Sequence, residues 1–536
     1  MSDSSALEMS DRAWALVDAN RLAEARSLFK MICEMGEHDP ESWMMLGALH
    51  AEFLDMKDAM SCLQKSIELD PSYPDAHLNL AKILVKQSKI DEAYAHCKIA
   101  VDNDPCYTDA WQLLGGIQEK LGDFVEAEIS SRRAIELIPD NVSCHANLAL
   151  VLWKQGKLQE AVESYQRALQ IDSRLVVAWM QLAAVYSHLN AYPEAEQCYR
   201  KVIEIEPLRG EAYGQLGDLL IKQKRKDEAI EAFRKALHIK SDDAGVHLQL
   251  GWAYQSKRQW DDAIVSFQEA FRLAPDNVNA CFGLAAAYLE KGMDGVALGY
   301  FQQALRLDPD NDEIRFHVAQ LSGATQPSTA PAGYVRRLFD DYAERFDSHL
   351  VGELSYKGPE LIHAAVMDVL GSDFEKKDIL DLGCGTGLCA PLFKERALKL
   401  SGVDLSEMMV DAARRRGLYD HLTLGDITVA LEGVNEAYDL IIAADVFIYV
   451  GELERVFELC STALRRSGLF SFTAEAAQDE MASFVLETSG RYSHSKRYLN
   501  QLAQSFGLDM ECMRNSVLRM DRGMPINGFT VVMRRP

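Results

Sequence analysis

Residues Asp378 to Leu405 read DILDLGCGTGLCAPLFKERALKLSGVDL. Ile379, Leu380 and Leu382 form a short apolar run that ends in glycines, Leu388 to Ala397 has helical character, and Leu398 to Val403 predicts a second strand. The product is a βαβ unit with a glycine loop at its first turn. Gly383, Gly385 and Gly387 allow the backbone to bend tightly and to approach a ligand with no Cβ in the way. Asp404 ends the second strand 21 residues after Gly383, the separation at which a carboxylate takes both hydroxyls of a ribose. A nucleoside-bearing cofactor is expected.

The identity of that cofactor turns on two further carboxylates. Gly385, Gly387 and Ala390 also satisfy G-x-G-x-x-A, so a dinucleotide is the alternative. Asp381, however, sits inside the carboxyl end of the first strand, where it would repel a pyrophosphate and hold a cationic amino-acid group. Asp426, in LTLGD after the third strand, offers an acceptor to an adenine amino group. Taken together, Asp381-Leu-Gly-Cys-Gly-Thr-Gly387, Val-Asp404-Leu-Ser and Gly-Asp426 resemble the motif series of the class I S-adenosylmethionine-dependent methyltransferases, over roughly residues 334 to 536. The resemblance implies an α/β Rossmann-like domain with a mostly parallel, seven-stranded sheet. It also implies S-adenosyl-L-methionine as cofactor, held by Asp381, Gly383, Cys384, Gly385, Thr386, Gly387, Asp404, Leu405, Asp426, Ile427 and Asp445, with Met408 and Met409 where adenine packs.

With 536 residues, of which 48% are hydrophobic, the chain has material for two or more domains. The formal charge of −25 divides as −17 for residues 1 to 330 and −8 for residues 331 to 536, so neither part is basic and a nucleic-acid partner is not expected. No run of 18 apolar residues occurs, and MSDSSALEMSDRAW has no basic apolar leader; a soluble, cytoplasmic protein without membrane insertion is expected. Eleven cysteines without a C-x-x-C predict reduced thiols. Cys384 and Cys389 flank the glycine loop, but two sulfurs with no matching histidines do not make a metal site.

Before this unit the chain repeats. Blocks of 34 residues laid out from Ala6 begin at 6, 40, 74, 108, 142, 176, 210, 244 and 278 with no insertion or deletion. The twentieth position is alanine in all nine, from Ala25 to Ala297; the eighth is small, as in Gly47, Gly115, Gly217 and Gly251; the twenty-fourth is mostly large and apolar. Trp43, Trp111, Trp179 and Tyr213 stand at the fourth position, and prolines such as Pro71, Pro105 and Pro139 close their blocks. Small residues let two helices cross closely while bulky ones fill the gap, and proline stops the second helix.

This pattern resembles the tetratricopeptide repeat. The resemblance implies an all-α superhelix of helix pairs over residues 6–322, nine repeats with Glu313 to Leu321 as a capping helix, and a protein or peptide partner on its concave face. The sixth position holds Asp11, Met45, Asn79, Leu113, Asn147, Gln181, Gln215, Gln249 and Gly283. A carboxamide donates and accepts, so such a row can bracket the backbone of an extended peptide; it is similar to a partial asparagine ladder of tetratricopeptide-bearing protein O-glycosyltransferases. A solvated face that happens to carry amides is the plainer reading.

Gly323 to Gly333, GATQPSTAPAG, reads as a linker between the two domains. After it, Tyr334 to Asp347 has an apolar stripe at helical spacing. By the same resemblance this leading helix folds over the cofactor, with Tyr342 and Phe346 as lid residues; a helix packed on the domain's side is the alternative. Strands are expected at His421–Leu424, Tyr438–Ala443 and Leu469–Thr473, with a closing antiparallel pair at Asp509–Leu518 and Phe529–Met533 around Asp521 to Pro525. Ligands in such sheets sit beyond the carboxyl ends of the strands, which selects residues 445–452, residues 474–494 and the leading helix as walls. Those walls lack an Asn-Pro-Pro-Tyr or a Pro-Cys pattern and leave Tyr449, Arg491, Tyr492 and His494 as catalytic candidates. The reading is a methyltransferase whose repeats recruit a protein; a cofactor-binding scaffold without turnover and a small-molecule methyltransferase with repeats used for assembly are the alternatives.

Overall fold

The computed structural model describes residues 3–35, 39–371, 376–521 and 523–536. Among them the 34-residue register is a helix register. Nineteen helices run from α1 (Asp3–Asp18) to α19 (Asp312–Ser322), nine pairs and one further helix. From the second block onward the first helix of each pair starts at the block's first residue, as at Pro40, Pro74 and Thr108, and the second runs from the seventeenth to the thirtieth position, as in Met56–Leu69 and Ile90–Asn103. All nine alanines of the twentieth position have no exposed surface. They are small because a neighbouring helix crosses there. At the eighth position a Cβ on Gly217 would lie 2.5 Å from the Phe233 ring, so bulk on the second helix takes the room vacated on the first.

The fourth position has a logic that the tryptophans only hinted at. An N–H of its side chain donates to the carbonyl six residues earlier, in the turn that precedes the helix: His77 to Pro71 (3.0 Å), Trp111 to Pro105 (3.1 Å), His145 to Pro139 (2.8 Å), Trp179 to Ser173 (2.9 Å), His247 to Ser241 (3.0 Å) and Arg315 to Pro309 (2.7 Å). Tryptophan, histidine and arginine interchange because each presents an N–H at similar reach. The second helix of a pair stops one residue before an extended C-cap, such as Asp70, and the proline stands just beyond it.

The chain divides into two compact units, Met1–Ala253 and Tyr254–Pro536. The division falls inside the eighth block. In the segment that follows α19, the carbonyl of Ser328 accepts from the amides of Gly451 (2.9 Å) and Glu452 (2.8 Å), Ala330 N–H donates to Tyr449 O (2.9 Å), and Thr329 bridges Val450. The segment is tied to the sheet domain, and the last repeats go with it.

Within the second unit, α20 (Ala332–Tyr342), two short helical turns and α21 (Gly358–Leu370) precede a sheet of nine strands among the described residues: β1 (Lys377–Leu382), β2 (Ala397–Asp404), β3 (His421–Leu424), β4 (Tyr438–Ala443), β5 (Leu464–Ala476), β6 (Phe484–Leu486), β7 (Tyr492–His494), β8 (Asp509–Asp521) and β9 (Met524–Arg534). Strands β3, β2, β1, β4 and β5 are parallel neighbours in that order, β9 pairs antiparallel to β5, and β8 to β9. That is the expected seven-stranded arrangement. Two strands were not anticipated: β7 extends β5 in parallel and β6 folds back on β7, turning part of the 474–494 wall into a ribbon. Ile379, Leu400, Leu440, Ile442 and Leu469 face α21, while Leu380, Ile441, Phe470 and Phe472 face α25 (Glu454–Ala463) and α26 (Lys496–Ser505), which is why these strands are apolar on both faces.

Several boundaries moved. The helix expected over Leu388 to Ala397 is only α22 (Ala390–Phe393) and one tighter turn, because Pro391 fixes its start and β2 begins at Ala397. The leading helix ends at Tyr342 and continues as the turns Ala343–Arg345 and Ser348–Glu353. The hairpin β8–β9 is longer than its apolar residues suggest, and Arg522 in its turn lies outside the described residues. Among the described residues no helix is long and apolar enough to cross a membrane, no group of histidine, cysteine and acidic side chains is set to hold a metal, and all eleven cysteines are free thiols.

Candidate functional site

The glycine loop is built at the carboxyl end of β1. Gly383, Gly385 and Gly387 all have positive φ (61°, 54° and 88°). A Cβ on Gly383 would stand 2.6 Å from Val446, and one on Gly387 2.9 Å from Tyr419, so both the turn and its close packing demand glycine. Asp404, at the end of β2, braces the loop: Oδ2 accepts from Gly385 N–H (2.8 Å) and Oδ1 from Ser406 N–H (2.9 Å). These bonds aim the carboxylate across the loop mouth and leave lone pairs on both oxygens for hydroxyl donors. Burial raises its pKa despite these donors.

Asp381 is almost wholly buried in β1 and accepts from the Tyr419 hydroxyl (2.6 Å). Burial, with Asp404's charge adding to it, pushes its pKa up to about 7, against the lowering effect of the Tyr419 bond. Among the described residues the carboxylate therefore sits by the loop with a hydroxyl but no cation beside it, as a site for a cationic group requires. Cys384 and Cys389 are buried and burial holds their thiols well above the ordinary range, which disfavours the thiolate.

Beyond β2, Ser406 caps α23 (Glu407–Arg416). Met409 has no exposed surface and belongs to the core, not to an adenine pocket; Met408 and Leu405 are the half-buried residues of this turn. The reason is the helix itself, which turns its third residue inward once Ser406 sets its start. Asp426 caps α24 (Ile427–Leu431), its Oδ1 accepting from Thr428 N–H (2.8 Å), and Ile427 packs on the core beside it.

The leading segment lies across this loop. Asp340 on α20 accepts from the Ser406 hydroxyl (2.5 Å), Asp347 accepts from the Thr386 hydroxyl and pairs with Arg416, and Arg416 Nε donates to Thr386 O (2.6 Å). The Phe346 ring covers Gly385, where an added Cβ would lie 3.9 Å from it. Tyr342 packs edge-on to Phe346 at 5.1 Å and its hydroxyl meets His349; Phe339 bridges Phe346 and Tyr449 at 6.1 and 5.4 Å. Phe346 thus stands over the loop, with Tyr342 packed against it.

At the carboxyl ends of β4 and β5 a second charged group is enclosed. Asp445, with φ of 61°, receives Nη1 of Arg519 on both carboxylate oxygens (2.7 Å each), and Arg519 Nη2 pairs with Glu475. Arg519 is 1% exposed, and its Nε has no partner among the described residues. Asp445, assigned from sequence to the cofactor, is paired with Arg519.

The four catalytic candidates separate. Tyr449 is half-buried against Phe339, and burial raises its pKa, so it is a neutral phenol that can donate but not remove a proton. His494 is enclosed: its Nε2–H donates to the carbonyls of Val450 and Gly451 (3.0 Å each), its Nδ1 is buried without a partner among the described residues, and burial depresses its pKa to about 4. It ties the wall to the turn after β4 through these two carbonyls. Tyr492 is buried and donates to Pro327 O (2.8 Å), while Arg491 pairs with Asp521 at 3.2 Å beside Tyr449.

Reading the sequence missed Asp340, Asp347, Arg416, Tyr419, Glu475 and Arg519. The acids of the leading helix carried a signal, since a helix meant to cover an acidic site has little use for carboxylates on its inner side unless they cap something. Arg519 lay one residue past the expected end of its strand.

Residues 379–468 match the family model described as a methyltransferase domain, and residues 55–88, 78–142, 141–206, 174–242 and 248–312 match tetratricopeptide repeat models. Among curated proteins the chain is 31% identical over 109 residues to a malonyl-[acyl-carrier protein] O-methyltransferase of Serratia marcescens, covering 20% of this chain and 42% of that one. It is 26% identical over 178 residues to the enzyme of the same name from Priestia megaterium, covering 32% and 60%. The chain thus spans about two fifths to three fifths of the length of these relatives. Among solved structures, YrrB, described as a TPR protein with an unusual peptide-binding site, is 23% identical with a TM-score of 0.31, covering 34% of this chain and 93% of that one. The chain carries tetratricopeptide repeats followed by a Rossmann-like methyltransferase domain.

Proposed function

We propose that the protein is an S-adenosylmethionine-dependent methyltransferase whose repeats, over residues 6–322, recruit the protein or peptide that it methylates. The observation that carries the cofactor reading is Asp381: a carboxylate raised to about 7 by burial at the carboxyl end of β1, where the glycine loop begins, is suited to the amino group of a methionine moiety. Asp404 would take the ribose, Leu405 and Met408 would flank the adenine, and Asp426 would stand near its amino group. Bound there, the cofactor supplies an electrophilic methyl on a sulfonium. The relatives methylate oxygen by their names, but the matched span 379–468 builds the cofactor half of the domain, and that half alone draws support from the likeness.

The protein's own contribution is alignment. None of the four catalytic candidates is placed to remove a proton: His494 is sequestered, Tyr492 is tied to Pro327, Arg491 is a cation paired with Asp521, and Tyr449 as a neutral phenol can only donate to an acceptor and orient it. The lid residues Tyr342 and Phe346 would exclude water. For the partner, Asn79, Asn147 and Gln181 are half-buried and Gln215 and Gln249 exposed along the first helices of their pairs, a row of amides suited to a peptide backbone.

Asp381 provides the test. Its raised pKa means that the protonated carboxyl stabilises the folded domain and that this stabilisation fades as pH rises through about 7. A cationic ligand prefers the ionised form, so the calorimetric affinity for S-adenosylhomocysteine should increase between pH 6 and 8, by up to about tenfold, and Asp381→Asn should bind more weakly with no such slope. An identical pH slope in wild type and variant would remove the role given to Asp381.

A further inference from the structure

We propose that α19, the last helix of the repeat array, is a positioning element of the cofactor site, acting through α20. The proposal rests on the reading of the glycine loop as a methyl-donor site and adds that the end of the array holds the lid in place. From behind, α19 is fixed to the preceding repeat by His317, whose ring stacks on Phe301 at 4.7 Å and 15°. From the front, Phe316 is 1% exposed and packs on Tyr334 of α20 (5.5 Å) and on Tyr492 of β7 (6.4 Å). Gln320 Oε1 accepts from His317 Nδ1–H (2.9 Å), and its amide nitrogen donates to Thr488 O (2.8 Å) in the β6–β7 turn. Glu313 pairs with Arg337 on α20.

The far end of α20 reaches the cofactor elements. Asp340 accepts from the hydroxyl of Ser406, the residue that caps α23 beside Asp404, and Asp347, in the turns that follow the helix, is bonded to Thr386 in the glycine loop. The eleven residues of α20 span about 16 Å as a helix, which links Tyr334, packed on Phe316, to Asp340, bonded to Ser406, and the turn after it carries Phe346 and Asp347 to the glycine loop. The apolar cluster that holds its N-terminal half consists of Phe316, Ala319 and Ala330 from the array side with Tyr449, Phe484, Leu486 and Tyr492 from the wall. Removing the α19 members takes a large part of the packing surface from Tyr334 and Val335, and the helix is then held mainly by its polar contacts at the loop. Phe316 and Gln320 are positioning residues: they act on the cofactor loop through the helix they fix.

The test uses the full chain with Phe316→Ala, Gln320→Leu and the conservative Phe316→Leu, and two readouts. Amide hydrogen exchange without ligand should quicken at least about tenfold in peptides covering 334–352 for Phe316→Ala and Gln320→Leu, with β1 and β4 as protected as in wild type and Phe316→Leu close to wild type. Affinity for S-adenosylhomocysteine should fall about tenfold, because the apparent dissociation constant scales inversely with the fraction of molecules holding the lid in place. Unchanged exchange at 334–352 in both disruptive variants overturns the proposal, as does exchange that quickens equally throughout the sheet, which would mean a merely structural helix. If wild type binds no S-adenosylhomocysteine, the methyl-donor reading fails and the exchange result still decides the role of α19. If Phe316→Ala does not fold, Gln320→Leu, which exchanges two hydrogen bonds for similar volume, carries the test.

Discussion

Arg519→Met should lower the stability of the second unit by about 3–5 kcal/mol, seen as a fall of roughly 10 °C in its thermal transition. The wild-type side chain is 1% exposed and stands between Asp445 and Glu475, whose side chains are 14% and 10% exposed. Removing it leaves two enclosed carboxylates without the cation bonded to both, the costliest way to break a buried ion pair. The loss should depend on pH in a defined direction. Burial already raises the Glu475 pKa against the pull of Arg519; without the arginine it rises further, so protonation at low pH relieves the variant. A deficit larger at pH 8 than at pH 5 is expected. Adding Asp445→Asn and Glu475→Gln should restore most of the stability, because the remaining groups can hydrogen-bond without charge. A variant as stable as wild type at pH 8 would show that the three groups are not coupled.

The second large effect concerns Asp404. Its carboxylate braces Gly385 and Ser406 and faces the place given to the ribose. Asp404→Ala removes the acceptor for two hydroxyls together with the brace on the loop. Charge-assisted hydrogen bonds contribute about 1.5–3 kcal/mol, so affinity for S-adenosylmethionine and for S-adenosylhomocysteine should fall about ten- to a hundredfold. Asp404→Asn keeps an oxygen for one backbone amide and should fall between. Unchanged calorimetric affinity in Asp404→Ala, or preference of the wild type for a nicotinamide dinucleotide, would overturn the assignment.

The fold was legible where one physical cause governs one position. The twentieth-position alanines announce a helix crossing, where each is fully buried, and the glycines with Asp404 announce the loop, where all three glycines take positive φ. Strand β4 was expected at its observed limits since its apolar run is buried on both faces. Legibility failed where two distant segments share a cause. Nothing local marks Gly323 to Gly333 as bonded to residues 449–452, since backbone amides carry no sequence signal. Met409 and His494 were assigned from their neighbours in sequence, but helix phase turns the first into the core and two backbone carbonyls close over the second. Arg519 was missed because it lay just past the expected end of its strand and its burial makes sense only once Asp445 and Glu475 are beside it.

The measurement that bears most directly on the whole account is methyl transfer from labelled S-adenosylmethionine into a cell lysate, separated into protein and small-molecule fractions. The wild type is expected to label protein. The variant with Asn79, Asn147, Gln181, Gln215 and Gln249 replaced by alanine is expected to bind the cofactor as wild type does and to lose that label. Label confined to small molecules, or no label in either fraction from a wild type that binds the cofactor, would contradict a methyltransferase that recruits its substrate through its repeats.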